Sequence, residues 1–131
     1  VPVEFRWDND EKTIMRYVAQ GAWNWNEFHK NMRRSTLWFD QVNHPVDVIV
    51  DLRGGNRLPA GAIGHLRSIG TKTHGNSTGR AVILGVDADI QRKLGAVNGV
   101  YHEHERLLRF ADSDEESYRV IAEWRANDEP E

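Results

Sequence analysis

Cysteine is absent from the 131 residues, and with it go disulfides, thiolate metal sites and cysteine nucleophiles. Stability must come from a packed core, and the length is enough to bury one as a single domain, 1–131. No apolar run comes near the roughly 20 residues that a membrane-spanning helix needs, so the chain is not expected to span a membrane. The first residues lack a basic flank followed by an apolar stretch, so no signal peptide is read there and a cytoplasmic protein is expected. The net charge of −3 supplies no excess of cations for a phosphate backbone, so nucleic acid is not expected as a partner.

Acids are missing from one long stretch. Between Leu52 and Val86 the chain carries Arg53, Arg57, Arg67, Lys72 and Arg80 and no Asp or Glu. From Asp112 to Glu131 eight acids stand against Arg119 and Arg125. The plain reading is a solvated surface with uneven charge; the sharper one is a basic functional edge balanced by an acidic tail.

What is present is an alternation of strand and helix patterns. Val46-Asp47-Val48-Ile49-Val50-Asp51-Leu52 is short and β-branched, as a strand buried on both faces should be. Before it, Val3–Trp7 alternates apolar and polar, and Thr13–Ala19 reads as the returning strand of a hairpin. Asn24, with Glu27 three residues on, opens a helix whose apolar stripe is Trp25, Phe28, Met32, Ser35, Phe39 and Val42. It is expected to stop near Asn43-His44-Pro45, because the residue before proline disfavours helix.

Beyond the central strand, Pro59 to about His74 forms a helical pattern with Ile63, Leu66, Ile69 and Thr73 inward. Gly61, Gly64 and Gly70 interrupt it at about 1 kcal/mol each relative to alanine, which suits a mobile helix. Gly75–Gly79 reads as a loop and Arg80–Val86 as a second buried strand. Asp87 caps a helix over Ile90, Leu94 and Val97 that ends at Asn98-Gly99. Leu107–Phe110 is a short last strand, and Ser113 with Glu116 opens a helix burying Tyr118, Ile121, Ala122 and Trp124.

The expected fold is α/β: a mixed sheet of about five strands with four helices, in the order β-β-α-β-α-β-α-β-α. That order, with Asp51-Leu52 ending the third strand and a glycine-containing helix start after it, resembles the STAS domain family. This is the fold of anti-sigma-factor antagonists and of the cytoplasmic domains of anion transporters. Within it the chain looks most like the SpoIIAA-like branch, often grouped with lipid-binding Sec14 domains. In the antagonists an Asp-Leu-Ser-type loop leads to a serine or threonine that is phosphorylated at the helix start. Here that position falls near Ala60-Gly61, and no hydroxyl stands between Asp51 and Gly64. The resemblance therefore implies the fold and a docking edge without the kinase-controlled switch.

Candidate sites cluster after the central strand. Arg53, Arg57 and the amides opening a helix at Pro59 would suit an anion, and Gly54-Gly55 would let a ligand approach the backbone. Gly61 and His65 lie on the same segment. The plain alternative is a flexible loop with two solvated arginines, and the spacing matches neither Walker nor Rossmann glycines. His102 and His104 alternate onto one face, but His29, His44, His65 and His74 are scattered, so no metal site and no cofactor are expected. Ser68, Ser77 and Ser113 lack a nucleophile-elbow setting, so catalytic residues are not expected. Trp38 lies off the helical stripe, either widening the core or anchoring a homodimer.

These features point to a non-enzymatic regulatory or protein-binding module that docks a protein partner through Arg53–Leu66. The alternative is a carrier holding a small apolar or lipid-like molecule between the sheet and a mobile helix, with Arg53 or Arg57 on an anionic headgroup.

Overall fold

The computed structural model describes residues 2–69, 74–103 and 106–128. The chain opens with a hairpin: β1 (Val3–Trp7) pairs antiparallel with β2 (Ile14–Gly21), Val3 opposite Ala19 and Trp7 opposite Met15. Asn9 closes the turn, its Oδ1 accepting from the amides of Thr13 at 2.9 Å and Ile14 at 3.3 Å. Helix α1 (Trp25–Phe39) is capped by Asn24, whose Oδ1 accepts from the Glu27 amide at 2.9 Å. The chain continues through β3 (Val46–Gly55), α2 (Ala62–Ser68), β4 (Ser77–Leu84), α3 (Ala88–Leu94), β5 (Val100–Glu103), β6 (Arg106–Ala111) and α4 (Asp114–Asp128).

The described strands form one mixed sheet in the order β1-β2-β3-β4-β6-β5. β2, β3, β4 and β6 run parallel; β1 and β5 flank them antiparallel. Each crossover steps one strand in the same direction, and crossovers of one hand then lay their helices on one face. That face carries the larger core, where Phe28 and Phe39 of α1, Leu66 of α2 and Leu94 of α3 pack on Met15, Val48, Val50, Ile83 and Leu108. Tyr17 lies within it, its hydroxyl 2.5 Å from Ser35 Oγ; burial pushes the phenol up to about 12 despite that bond, so it stays neutral. The opposite face is covered by α4, with Val120, Ile121 and Trp124 on Ile49, Val82 and Leu84. The side chains of β3 alternate between the two cores, Val48 and Val50 to one and Ile49 to the other, as a doubly buried strand requires.

The α/β class and the four helices are as the pattern predicts, and several boundaries differ. The sheet has six strands because Val100–Glu103 pairs with β6, Tyr101 opposite Leu108. Helix α1 stops at Phe39, where Asn76 Nδ2 takes the carbonyls of Phe39 and Val42 at 3.0 and 2.9 Å. Helix α3 stops at Gly95, whose φ of +104° ends it before the Asn98-Gly99 turn. β4 starts at Ser77, inside the expected loop. Helix α4 turns Ser117, Val120, Ile121 and Trp124 inward, leaving Ala122 exposed and Tyr118 43% exposed. Helix α2 spans only Ala62–Ser68; the expected inward Thr73 and the interrupting Gly70 lie outside the described residues.

Candidate functional site

Strand β3 outlasts the apolar run that defines it. β2 continues to Gly21 after a register shift, so Gln20 pairs with Gly54 and Gly21 with Gly55. Arg53-Gly54-Gly55 is therefore strand, not loop, and the Asn56 amide closes the end on the Gly21 carbonyl at 2.9 Å. Beyond this point, at the carboxyl ends of β3 and β4, opens a cleft of about 290 Å³ lined by Trp23, Leu52, Arg53, Gly55, Asn56, Arg57, Leu58 and Gly85. The carboxyl edge of parallel strands is where α/β proteins meet ligands.

Two glycines make room for it. Gly85 has a φ of +92°, and a Cβ there would lie 2.8 Å from the Arg53 amide nitrogen and the Leu52 carbonyl carbon. Only glycine allows both that turn and that approach. A Cβ on Gly55 would lie 2.5 Å from Trp23 Nε1, so the open side of Gly55 faces an indole N–H. Trp23 is 8% exposed, and among the described residues its Nε1 donates to nothing.

An aromatic stack ties the loop to α1. Trp23 sits edge-on to Trp25 at 4.7 Å between ring centres, and Trp25 Nε1 donates to the Pro59 carbonyl at 3.1 Å. The Trp25 ring then lies flat on His65, 5.0 Å away with 10° between planes, and His65 Nδ1 is 2.9 Å from His29 Nε2. Burial first, then the charges of His65 and Arg33, hold His29 below the usual histidine range. Gly61, with a φ of +83°, opens α2 beside the His65 ring.

The two candidate arginines have different fates. Arg53 grips Asp51 with Nε on Oδ1 at 3.0 Å and Nη2 on Oδ2 at 2.9 Å, and reaches Asp114 at 2.9 Å. Behind it Arg16, buried to 3% exposure, contacts Asp8, Asp51 and Asp114 at 2.6, 3.1 and 3.0 Å. Burial opposes charge on Asp51, but hydrogen bonds from Arg53 and the charges of both arginines hold its carboxyl below the usual range. Arg57 is exposed and has no acidic or hydrogen-bonding partner among the described residues.

The structure thus brings Arg53, Gly55 and Arg57 to one cleft, whereas Gly61 and His65 lie outside its lining, beside each other and against Trp25. Gly54 lies outside the lining, against Ala19 and Gln20. The amides expected at Pro59 do not open a helix: α2 begins at Ala62 and has seven residues. Trp38 is half-buried on its own hairpin, edge-on to Phe5 at 4.8 Å and stacked on Trp7 at 6.3 Å; its neighbour Leu37 is 68% exposed. His102 lies in β5, while His104 falls outside the described residues. Among the described residues no three His, Asp or Glu side chains gather as metal ligands.

Trp23, Asn56 and Gly85 were missed by sequence reasoning. A glycine directly after an apolar strand was the available sign for Gly85; nothing local marks Trp23, which reaches the cleft only through the β2–β3 pairing.

Fold and site define an α/β domain with a cleft at the carboxyl edge of a six-stranded mixed sheet. No described helix is long and apolar enough to cross a membrane. Comparison with family models, with curated proteins and with solved structures finds no match to this chain.

Proposed function

We propose that this chain is a non-enzymatic regulatory or protein-binding module of the STAS, SpoIIAA-like type. It lacks the phosphorylatable serine and docks an acidic protein partner through the loop and helix after β3. The observation that carries this reading is Arg57: an exposed cation lining the cleft, without a partner among the described residues, within a stretch from Leu52 to Val86 that has no acid. Such a charge steers and orients an acidic partner.

Two further features favour docking. The candidate serines are engaged with nearby backbone: Ser68 Oγ donates to the His65 carbonyl at 2.7 Å, while Ser77 and Ser113 Oγ accept from the Gly79 and Glu116 amides at 3.3 and 3.1 Å. That supports a binding role over nucleophilic chemistry. A carrier would need room between α2 and the sheet, where Leu66 and Ile69 lie 0% and 1% exposed.

The test is affinity capture with isotope-coded wild type, Arg57→Glu and, as an exposed control on α1, Arg34→Glu. The expected result is a protein retained by wild type and Arg34→Glu and lost from Arg57→Glu. Equal recovery by all three baits would refute docking at this loop.

A further inference from the structure

The cleft wall has a chemical bias. Trp23 lines the cleft, and its Nε1–H is a donor only, without an acceptor among the described residues and open to solvent rather than sealed in the core. Arg57 is a donor only and carries a full charge. Asn56 lines the same cavity, and its side chain has no bond among the described residues. The indole edge packs on Gly55 in the space a Cβ would take, which sets Trp23 in the cleft wall.

The charge count selects the acceptor. The fork of Arg53 is already held by Asp51 and Asp114, which leaves Arg57 as the uncompensated cation of the cleft lining. One free positive charge matches one negative charge. A phosphate dianion would bring a second, for which the cleft lining has no further unclaimed cation. It would also find no helix amides to hold it, since seven-residue α2 starts beyond the loop. A carboxylate has one charge and two oxygens for two kinds of donor, and about 290 Å³ accommodates it with several carbons behind it.

We infer that this cleft is a carboxylate-binding site, one oxygen taken by Trp23 Nε1–H and the other by the Arg57 guanidinium, with Gly55 making the space in which the indole edge sits. The inference rests on the docking reading for the source of the carboxylate, an acidic side chain of the docked protein. A free small organic acid presents the same chemistry.

The test follows the Trp23 indole N–H by nuclear magnetic resonance in the full chain, with four probes: the blocked peptide acetyl-Ala-Glu-Ala-amide, its Gln counterpart, succinate and inorganic phosphate. The expected result is a saturable shift of the Trp23 signal with the Glu peptide and none with the Gln peptide. Arg57→Gln should weaken the response about tenfold or more, the usual scale for losing a charge-assisted bond. Because Arg57 is exposed, this variant keeps the fold, which the other four indole signals verify. A Trp23 signal that no carboxylate moves, that responds equally in Arg57→Gln, or that moves further with inorganic phosphate overturns the inference. Succinate outcompeting the peptide keeps the carboxylate site and assigns it to free acids. Arg57-dependent capture of a partner without any carboxylate response would sink this inference and leave docking intact; a carboxylate response without a captured partner would do the reverse.

Discussion

The two ends of the parallel strands use the same residue types for opposite purposes. At the amino end, a cleft of about 300 Å³ is bordered by Arg80, Arg125, Asp47 and Asp128. Asp47 is 2% exposed there and accepts from Thr78 Oγ1, from Arg80 Nε and Nη2, and from Arg125 Nε, at 2.6 to 3.2 Å. Arg80 also holds Asp128 at 2.7 Å and lies over the Trp124 ring at 5.3 Å, while Arg125 donates to Thr13. Every charge has its partner, and the cluster ties α4 to the sheet. At the carboxyl end Arg57 and the Trp23 N–H are left open. On the proposed reading, an arginine in a cleft serves binding only when its donors are unclaimed.

The largest effect expected from this contrast is on stability at the amino end. Asp47→Ala removes the buried acceptor shared by Arg80 and Arg125, leaving Arg80 with Asp128 and Arg125 with Thr13, and should cost about 3 kcal/mol, the lower end for breaking a buried pair. Urea unfolding checks this, and the folded fraction should still capture the partner. Next comes Gly85→Ala, which meets the β3 backbone at 2.8 Å with a φ of +92°. It should cost about 2–3 kcal/mol and also close the cleft, which paired unfolding and peptide-titration measurements would show.

A smaller effect sharpens the comparison through pH. His29 is held below its usual range, so below about pH 6.5 the unfolded chain binds the proton that the folded chain resists. The contribution is therefore present above that value and is lost as pH falls through the folded pKa. Urea midpoints at about pH 7.5 and about pH 5 should differ more in wild type than in His29→Gln. The smallest stability effect belongs to Arg57→Glu, within about 0.5 kcal/mol because the residue is exposed and unpaired, although partner capture is lost.

Much of this was legible in the order of residues. The β-branched Val46–Leu52 run, the Asn24/Glu27 cap and the stripe of α1 gave the layers, because burial imposes periods of two and 3.6 that local composition reveals. The strand status of Arg53-Gly54-Gly55 was hidden, since it depends on a register shift in β2 that puts Gly21 beside Gly55. The same is true of β5, a four-residue edge strand made by its pairing with β6. At the site, Arg53 and Arg57 look alike in sequence. Arg53 is claimed by Asp51, two residues back, and by Asp114, 61 residues away, whereas Arg57 meets no acid among the described residues.

The most direct test places a photo-crosslinking residue at Ala60, at the carboxyl end, and in a second variant at His44, at the amino end. The account predicts a discrete protein adduct from Ala60 that Arg57→Glu abolishes, and none from His44. An adduct from His44 alone, or from both positions regardless of Arg57, would contradict it.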